Sequence, residues 1–153
     1  MLSNWEQQAV QLLETDQHKE LIQWCERAIN HDDQGSFPYW YLGLAYLLQQ
    51  EADEAQAVWL SGWFEAPGEK TSEQRTQQLA TILEREAQRQ ATQESFAISA
   101  EIRTQLQEIQ PENINHSLHL IKLLINQKRF SPQLLQQWEV LPRLKVAQDI
   151  DEA

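Results

Sequence analysis

Residues 36–69 read S-F-P-Y-W-Y-L-G-L-A-Y-L-L-Q-Q-E-A-D-E-A-Q-A-V-W-L-S-G-W-F-E-A-P-G-E, and their spacing decides the fold. Tyr39 is followed by Leu42, Gly43 and Tyr46, and after a polar turn come Ala55, Trp59, Gly62 and Pro67. Apolar residues recurring every three or four positions on both sides of a polar break describe two helices folded back on each other. Gly43 and Gly62 are small enough to let the paired helices approach, while Tyr39 and Trp59 fill the remaining space.

The same pattern lies 34 residues earlier in a weaker form. Trp5 stands for Tyr39, Ala9 for Gly43, Leu12 for Tyr46, Leu21 for Ala55, Cys25 for Trp59, Ala28 for Gly62 and Asp33 for Pro67. Leu21 is larger than its counterpart, and Asp33 puts a turn former where Pro67 puts a helix stop. Asp16 and Asp53 are expected in the inter-helix turns or at the caps that follow, where a carboxylate can accept backbone N–H groups.

This spacing resembles the tetratricopeptide repeat, a helix–turn–helix unit of about 34 residues marked by W-x2-L-G-x2-Y, A-x3-F and a closing Pro. The resemblance implies an all-α fold of antiparallel helix hairpins stacked as a short right-handed solenoid, with about 7–8 helices. The expected layout is a single helical-repeat domain over 1–153, with a first repeat at 2–35 and a second at 36–69. A divergent hairpin follows at 70–111, then C-terminal helices at 112–142 and a tail at 143–153.

The divergent part is read from capping and periodicity. Thr71 or Ser72 can cap a helix carrying Leu79, Ile82, Leu83 and Ala87 on one stripe to about Gln90. A partner helix with Phe96, Ile98, Ile102, Leu106 and Ile109 runs from about Gln93 and stops before Pro111. Beyond Pro111, the run Leu118, Leu120, Ile121, Leu123, Leu124 and Ile125 predicts a helix apolar almost all round, and so buried on more than one side. Lys128 and Arg129 suit its C-terminal end. Ser131-Pro132 then starts a short helix through Leu134, Leu135, Trp138 and Leu141.

Composition sets the class. With 41% hydrophobic and 23% charged residues the chain is ordinary for a globular protein, and only 4 Gly and 5 Pro leave helices largely uninterrupted. One cysteine cannot form an internal disulfide, which predicts a reducing, cytoplasmic location. The N-terminus lacks the basic start and apolar core of a leader. The longest nearly apolar run, Phe37 to Leu48, is 12 residues, shorter than the roughly 18 that predict a membrane span.

The net charge of −11 is concentrated at one end. Residues 1–69 hold 12 acidic and 2 basic side chains, net −10, whereas residues 70–153 hold 11 acidic and 10 basic, net −1. Such a first half repels phosphate backbones, so nucleic acid is not an expected partner. It favours basic peptides or protein surfaces, although acidic side chains also serve simply to solvate helix faces.

Catalytic patterns are lacking in the sequence. His116 and His119 lie at i, i+3, but a third metal ligand is missing nearby, so two partly exposed helix histidines are expected and no metal site. Cys25 falls where the repeat needs a packing residue and reads as a buried hydrophobe. Asp32-Asp33 and Asp53-Glu54 fall at turns, without the cleft that acid–base chemistry requires. No glycine-rich phosphate loop, nucleophile elbow or dinucleotide fingerprint is present. No catalytic residue, cofactor or metal is therefore expected.

The tetratricopeptide resemblance implies a concave, partner-binding face built from the first helix of each hairpin. Carried over residue by residue, it consists of Ser3, Glu6, Val10 and Leu13, then Phe37, Trp40, Leu44 and Leu47. The Lys, Arg and Asn residues with which one subclass grips C-terminal carboxylates are missing there. The apolar strip has two possible occupants: a hydrophobic segment of a partner, or the chain's own C-terminal helices. The second is preferred, because an open groove this apolar is a liability in water. The expected function is a protein–protein interaction or scaffold module taking a basic or hydrophobic protein or peptide, with self-association as one form of it. The alternative is a non-catalytic arm of a larger enzyme. The run I-Q-P-E-N-I-N-H-S-L-H-L-I-K-L at 109–123, placed after two repeats, loosely resembles N-terminal segments of bacterial glycosyltransferases and FkbM-type methyltransferases.

Overall fold

A computed structural model describes residues 2–65 and 70–126. It is all-α, with seven helices and no strand among the described residues: α1 (Asn4–Glu14), α2 (His18–His31), α3 (Phe37–Leu48), α4 (Ala52–Glu65), α5 (Ser72–Thr92), α6 (Phe96–Ile109) and α7 (Ile114–Asn126). The expected break at Pro67-Gly68, the cations Lys128 and Arg129, the short helix from Ser131 and the tail lie outside the described residues. The chain divides into two compact units, Met1–Ile82 and Leu83–Ala153, with the boundary inside α5.

In the first unit α1 packs on α2 and α3, α3 on both α2 and α4. The 34-residue register is followed closely. Helix α2 shifted by 34 gives the limits of α4, and its buried residues Leu21, Cys25 and Ala28 become Ala55, Trp59 and Gly62, the buried residues of α4. The turns repeat as well. Asp16 and Gln50, 34 apart, both take left-handed backbone (φ 57° and 65°). Gln17 N–H then donates to Leu12 O and Glu51 N–H to Tyr46 O, each at 2.9 Å. These close the six-residue loop that satisfies the last carbonyls of a helix. Asp53 is not in a turn. It is the second residue of α4, where a carboxylate favours the positive end of the helix dipole.

Packing explains the small residues. A Cβ on Gly43 would fall inside the Trp59 indole, and one on Gly62 would meet Tyr39 and the Trp40 ring. Trp59 lies close enough to α3 for its indole N–H to donate to Trp40 O at 3.2 Å. In the first hairpin the indole comes from the neighbouring position. Trp24 stacks on Trp5 at 6.1 Å and donates to Trp5 O at 3.3 Å, while Cys25 occupies the position equivalent to Trp59.

Helix α5 begins with a reciprocal capping box. Gln74 N–H donates to Thr71 Oγ1 (3.2 Å), and Thr71 N–H donates to Gln74 Oε1 (3.0 Å). The second unit reuses the same turn. Glu94 takes φ 63°, and Ser95 N–H donates to Gln90 O at 2.8 Å. The spacing from Gln50 to Glu94 is 44 residues rather than 34, because α5 has 21 residues where α3 has 12 and starts 35 residues after it rather than 34. Ser99 Oγ donates to Ala87 O at 2.8 Å, fastening α6 to the end of α5. Ala100, Leu120, Ile121 and Leu123 then form a core flanked by Ala91 and Phe96.

Helix α7 departs from expectation. Leu120, Ile121 and Leu123 are buried, but Leu118 and Ile125, seven residues apart on one face, are exposed. An apolar sequence all round the helix does not mean burial all round, because neighbouring helices in contact cover only part of its circumference.

Candidate functional site

Of the eight proposed concave contacts, Glu6, Leu13, Trp40, Leu44 and Leu47 are buried, Val10 and Phe37 are half-buried, and Ser3 is exposed. Ser3 is the N-cap of α1 and accepts Glu6 N–H at 3.2 Å. The Glu6 carboxylate accepts the Tyr41 hydroxyl at 2.9 Å, and Trp40 Nε1 donates to Gln78 Oε1 of α5 at 3.2 Å. The polar groups in the strip therefore have partners within the first unit. Phe37 lies under Lys70, whose Nζ is 5.5 Å from the ring centroid, within cation–π range.

An open apolar surface lies on α4. Leu60, Trp63 and Phe64, at i, i+3 and i+4, share one face of α4 and are 52%, 36% and 82% exposed. Sequence reasoning missed them, because the repeat pattern marks the inward residues of α4 and is silent about the others. The signal was there: Leu60, Trp63 and Phe64 are bulky and apolar at positions the repeat does not require.

The end of α4 is held from α5. Arg75 is buried, and its Nη1 donates to Gly62 O (2.9 Å) and Trp63 O (2.6 Å), placing a cation on the last carbonyls of the helix. Trp63 Nε1 donates to Ser72 O at 3.2 Å. The aromatic face is thus carried on a fixed helix end.

The part of the first unit around α3 and α4 is acidic. Burial, then Asp32 and Glu65, raise the Tyr39 phenol above its ordinary range. Burial, then Glu26, Glu51 and Glu54, do the same for Tyr46. Asp53, Glu54 and Glu65 are exposed on α4 itself.

Cys25 is fully buried, and burial, followed by the nearby Glu26 carboxylate, pushes its thiol up, so it carries no reactive thiolate. No group of three or more His, Cys, Asp or Glu side chains able to hold a metal ion occurs among the described residues. His116 corrects an expectation. It is buried rather than partly exposed, because α6 brings Arg103 close by and its C-cap residue Gln110 meets the ring. His119 is half-buried beside it.

No protein-family model matches the sequence, and no curated protein matches it. Among solved structures the chain is similar to a double mutant of MamA ("MamA RS-1 ArsTM double mutant"), at 13% identity and a TM-score of 0.38, with 95% of this chain and 94% of that chain covered. At that level nothing of MamA carries over. None of the described helices is long and apolar enough to cross a membrane.

Proposed function

We propose that this chain is a protein–protein interaction module of tetratricopeptide type that takes a basic partner segment with apolar anchors on the outer face of α4. The observation that carries the proposal is Phe64, 82% exposed beside Leu60 and Trp63 on a helix end clamped by Arg75. Exposed aromatic anchors on a rigid element lose little conformational entropy when a partner covers them. The sign of the partner follows from charge. Residues 1–69 carry net −10, so a second copy of this half is repelled and a basic segment is attracted. The concave strip enters this proposal only through Val10 and Phe37, which keep surface.

The test uses the full chain and a designed amphipathic lysine–leucine peptide, with a glutamate–leucine peptide as control. The basic peptide should bind, and Leu60→Ala with Phe64→Ala should weaken it at least about tenfold, the loss of roughly 1.4 kcal/mol from two apolar anchors. Raising the salt should weaken it further, since exposed charges are screened beyond about 8 Å at physiological ionic strength. Equal binding of both peptides, or an unaffected double variant, refutes the proposal. A dimer in light scattering that Phe64→Ala dissociates would assign the face to self-association instead.

A further inference from the structure

The second unit contains buried polar nitrogens that the interaction surface does not use. On α7, His116 is buried and His119 half-buried, and both Nδ1 atoms are buried without a hydrogen-bond partner. His116 Nε2 donates to Gln110 Oε1 at 2.8 Å, which leaves the bare Nδ1 as its basic atom. From α6 comes Arg103, itself buried, with Nε also unpartnered. Arg103 Nη1 pairs with Glu84 of α5, a partly exposed carboxylate. Lys122 of α7 adds a second positive charge near His119. The neutral contact Gln107 Nε2 to Ser117 Oγ, at 2.8 Å, completes the α6–α7 seam.

We infer that His116 and His119 form an acid-released latch that holds α7 against α6. Neutral, the two rings fill the seam beside Arg103. Protonated, each Nδ1 becomes an N–H donor buried with no acceptor. Two imidazolium charges then join Arg103 and Lys122 against the single carboxylate of Glu84, which is already paired. Protonation is therefore cheaper when α7 has moved off. Lifting α7 uncovers Leu120, Ile121 and Leu123, so acid exposes an apolar face that is closed at neutral pH.

Electrostatics agrees in sign. Burial is the largest effect and lowers both histidines. At His116 Glu84 opposes it ahead of the lowering by Arg103 and His119, whereas at His119 Arg103 lowers further, ahead of the opposing Glu84 and the lowering by Lys122. A histidine lowered on folding keeps its full contribution to stability above its unfolded value near 6.5 and loses it as pH falls from there to the folded value. Each proton taken up on opening raises the opening constant up to about tenfold per pH unit.

The experiment is hydrogen exchange on the full chain at pH 7.5 and 5.5, with α7 amides compared with α3 amides in the same sample to cancel intrinsic rates. The protection of α7 relative to α3 should fall at least about tenfold, and His116→Gln with His119→Gln should remove most of that fall. An unchanged ratio, or the same fall in the double variant, overturns the latch. Should the double variant not fold, the ring titrations of the wild-type chain by NMR decide the matter. Both histidines titrating below 6.5, together with loss of α7 amide peaks, supports the latch. Titration of either at or above 6.5 overturns it.

Discussion

Gly43 shows how one missing Cβ sets the spacing of a helix pair. Its hydrogen faces the Trp59 indole, and any side chain there would occupy ring space. The equivalent pair in the first hairpin is Ala9 and Cys25, both fully buried, where a smaller α2 side chain accompanies the added Cβ. Two effects oppose each other in Gly43→Ala: the helix gains about 1 kcal/mol in propensity, and overpacking costs about 1–3 kcal/mol. The clash is with a rigid buried ring, so it should win, leaving the variant less stable by up to about 2 kcal/mol in urea unfolding. Pairs of this kind were legible in the sequence, because size complementarity recurs at a fixed spacing. The left-handed residues Asp16, Gln50 and Glu94 were less so, since none is the glycine that usually marks such a turn.

At the level of the element, α4 is a helix with two roles. Its inward residues Ala55, Trp59 and Gly62 pack the hairpin, and its outward residues Leu60, Trp63 and Phe64 remain open. Arg75 holds its last turn by two charge-assisted bonds to Gly62 O and Trp63 O. Arg75→Gln shortens the reach and removes the charge. Loss of the pair should cost about 1–3 kcal/mol and raise hydrogen exchange at the end of α4 before the rest of the unit, which mass spectrometry of α4 peptides would detect. Peptide binding at Phe64 should weaken in parallel. Unchanged exchange at residues 60–65 would mean that Arg75 does not hold the helix end. A helix start set by capping is legible because capping is local, and Thr71 capping α5 is such a case. The start of α6 at Phe96, rather than near Gln93, is not, because the left-handed Glu94 is no glycine. The outward face was not, since periodicity alone cannot say which exposed apolar residue has a purpose.

For the molecule as a whole, the deciding quantity is what the concave strip is used for. Trp40 and Leu44 are almost wholly excluded from solvent, and the Trp40 indole is bonded to Gln78. Truncating each to Ala should cost about 2–5 kcal/mol, against a total stability for a domain of about 5–15 kcal/mol. Trp40→Ala with Leu44→Ala should therefore lose its helical circular dichroism transition or melt far lower than wild type. Survival of the helical signal with loss of partner binding would return those two residues to the contact surface. The histidine cluster shows the same dependence on the assembled fold. Its members Glu84, Arg103, His116 and His119 come from three helices, and local spacing brings together only His116 and His119.

From sequence alone the all-α class, the 34-residue hairpin register, the capping of α5 and the acidic first half could be derived. Each follows from interactions between residues close along the chain, or from composition. Only the tertiary structure decided that Trp40 and Leu44 are buried, that α4 carries an open aromatic face, and that His116 is buried beside a guanidinium. Burial and electrostatic environment are set by which helices meet, and the Tyr39–Leu-Gly–Tyr46 stretch fixes the shape of a hairpin without fixing what is laid against it.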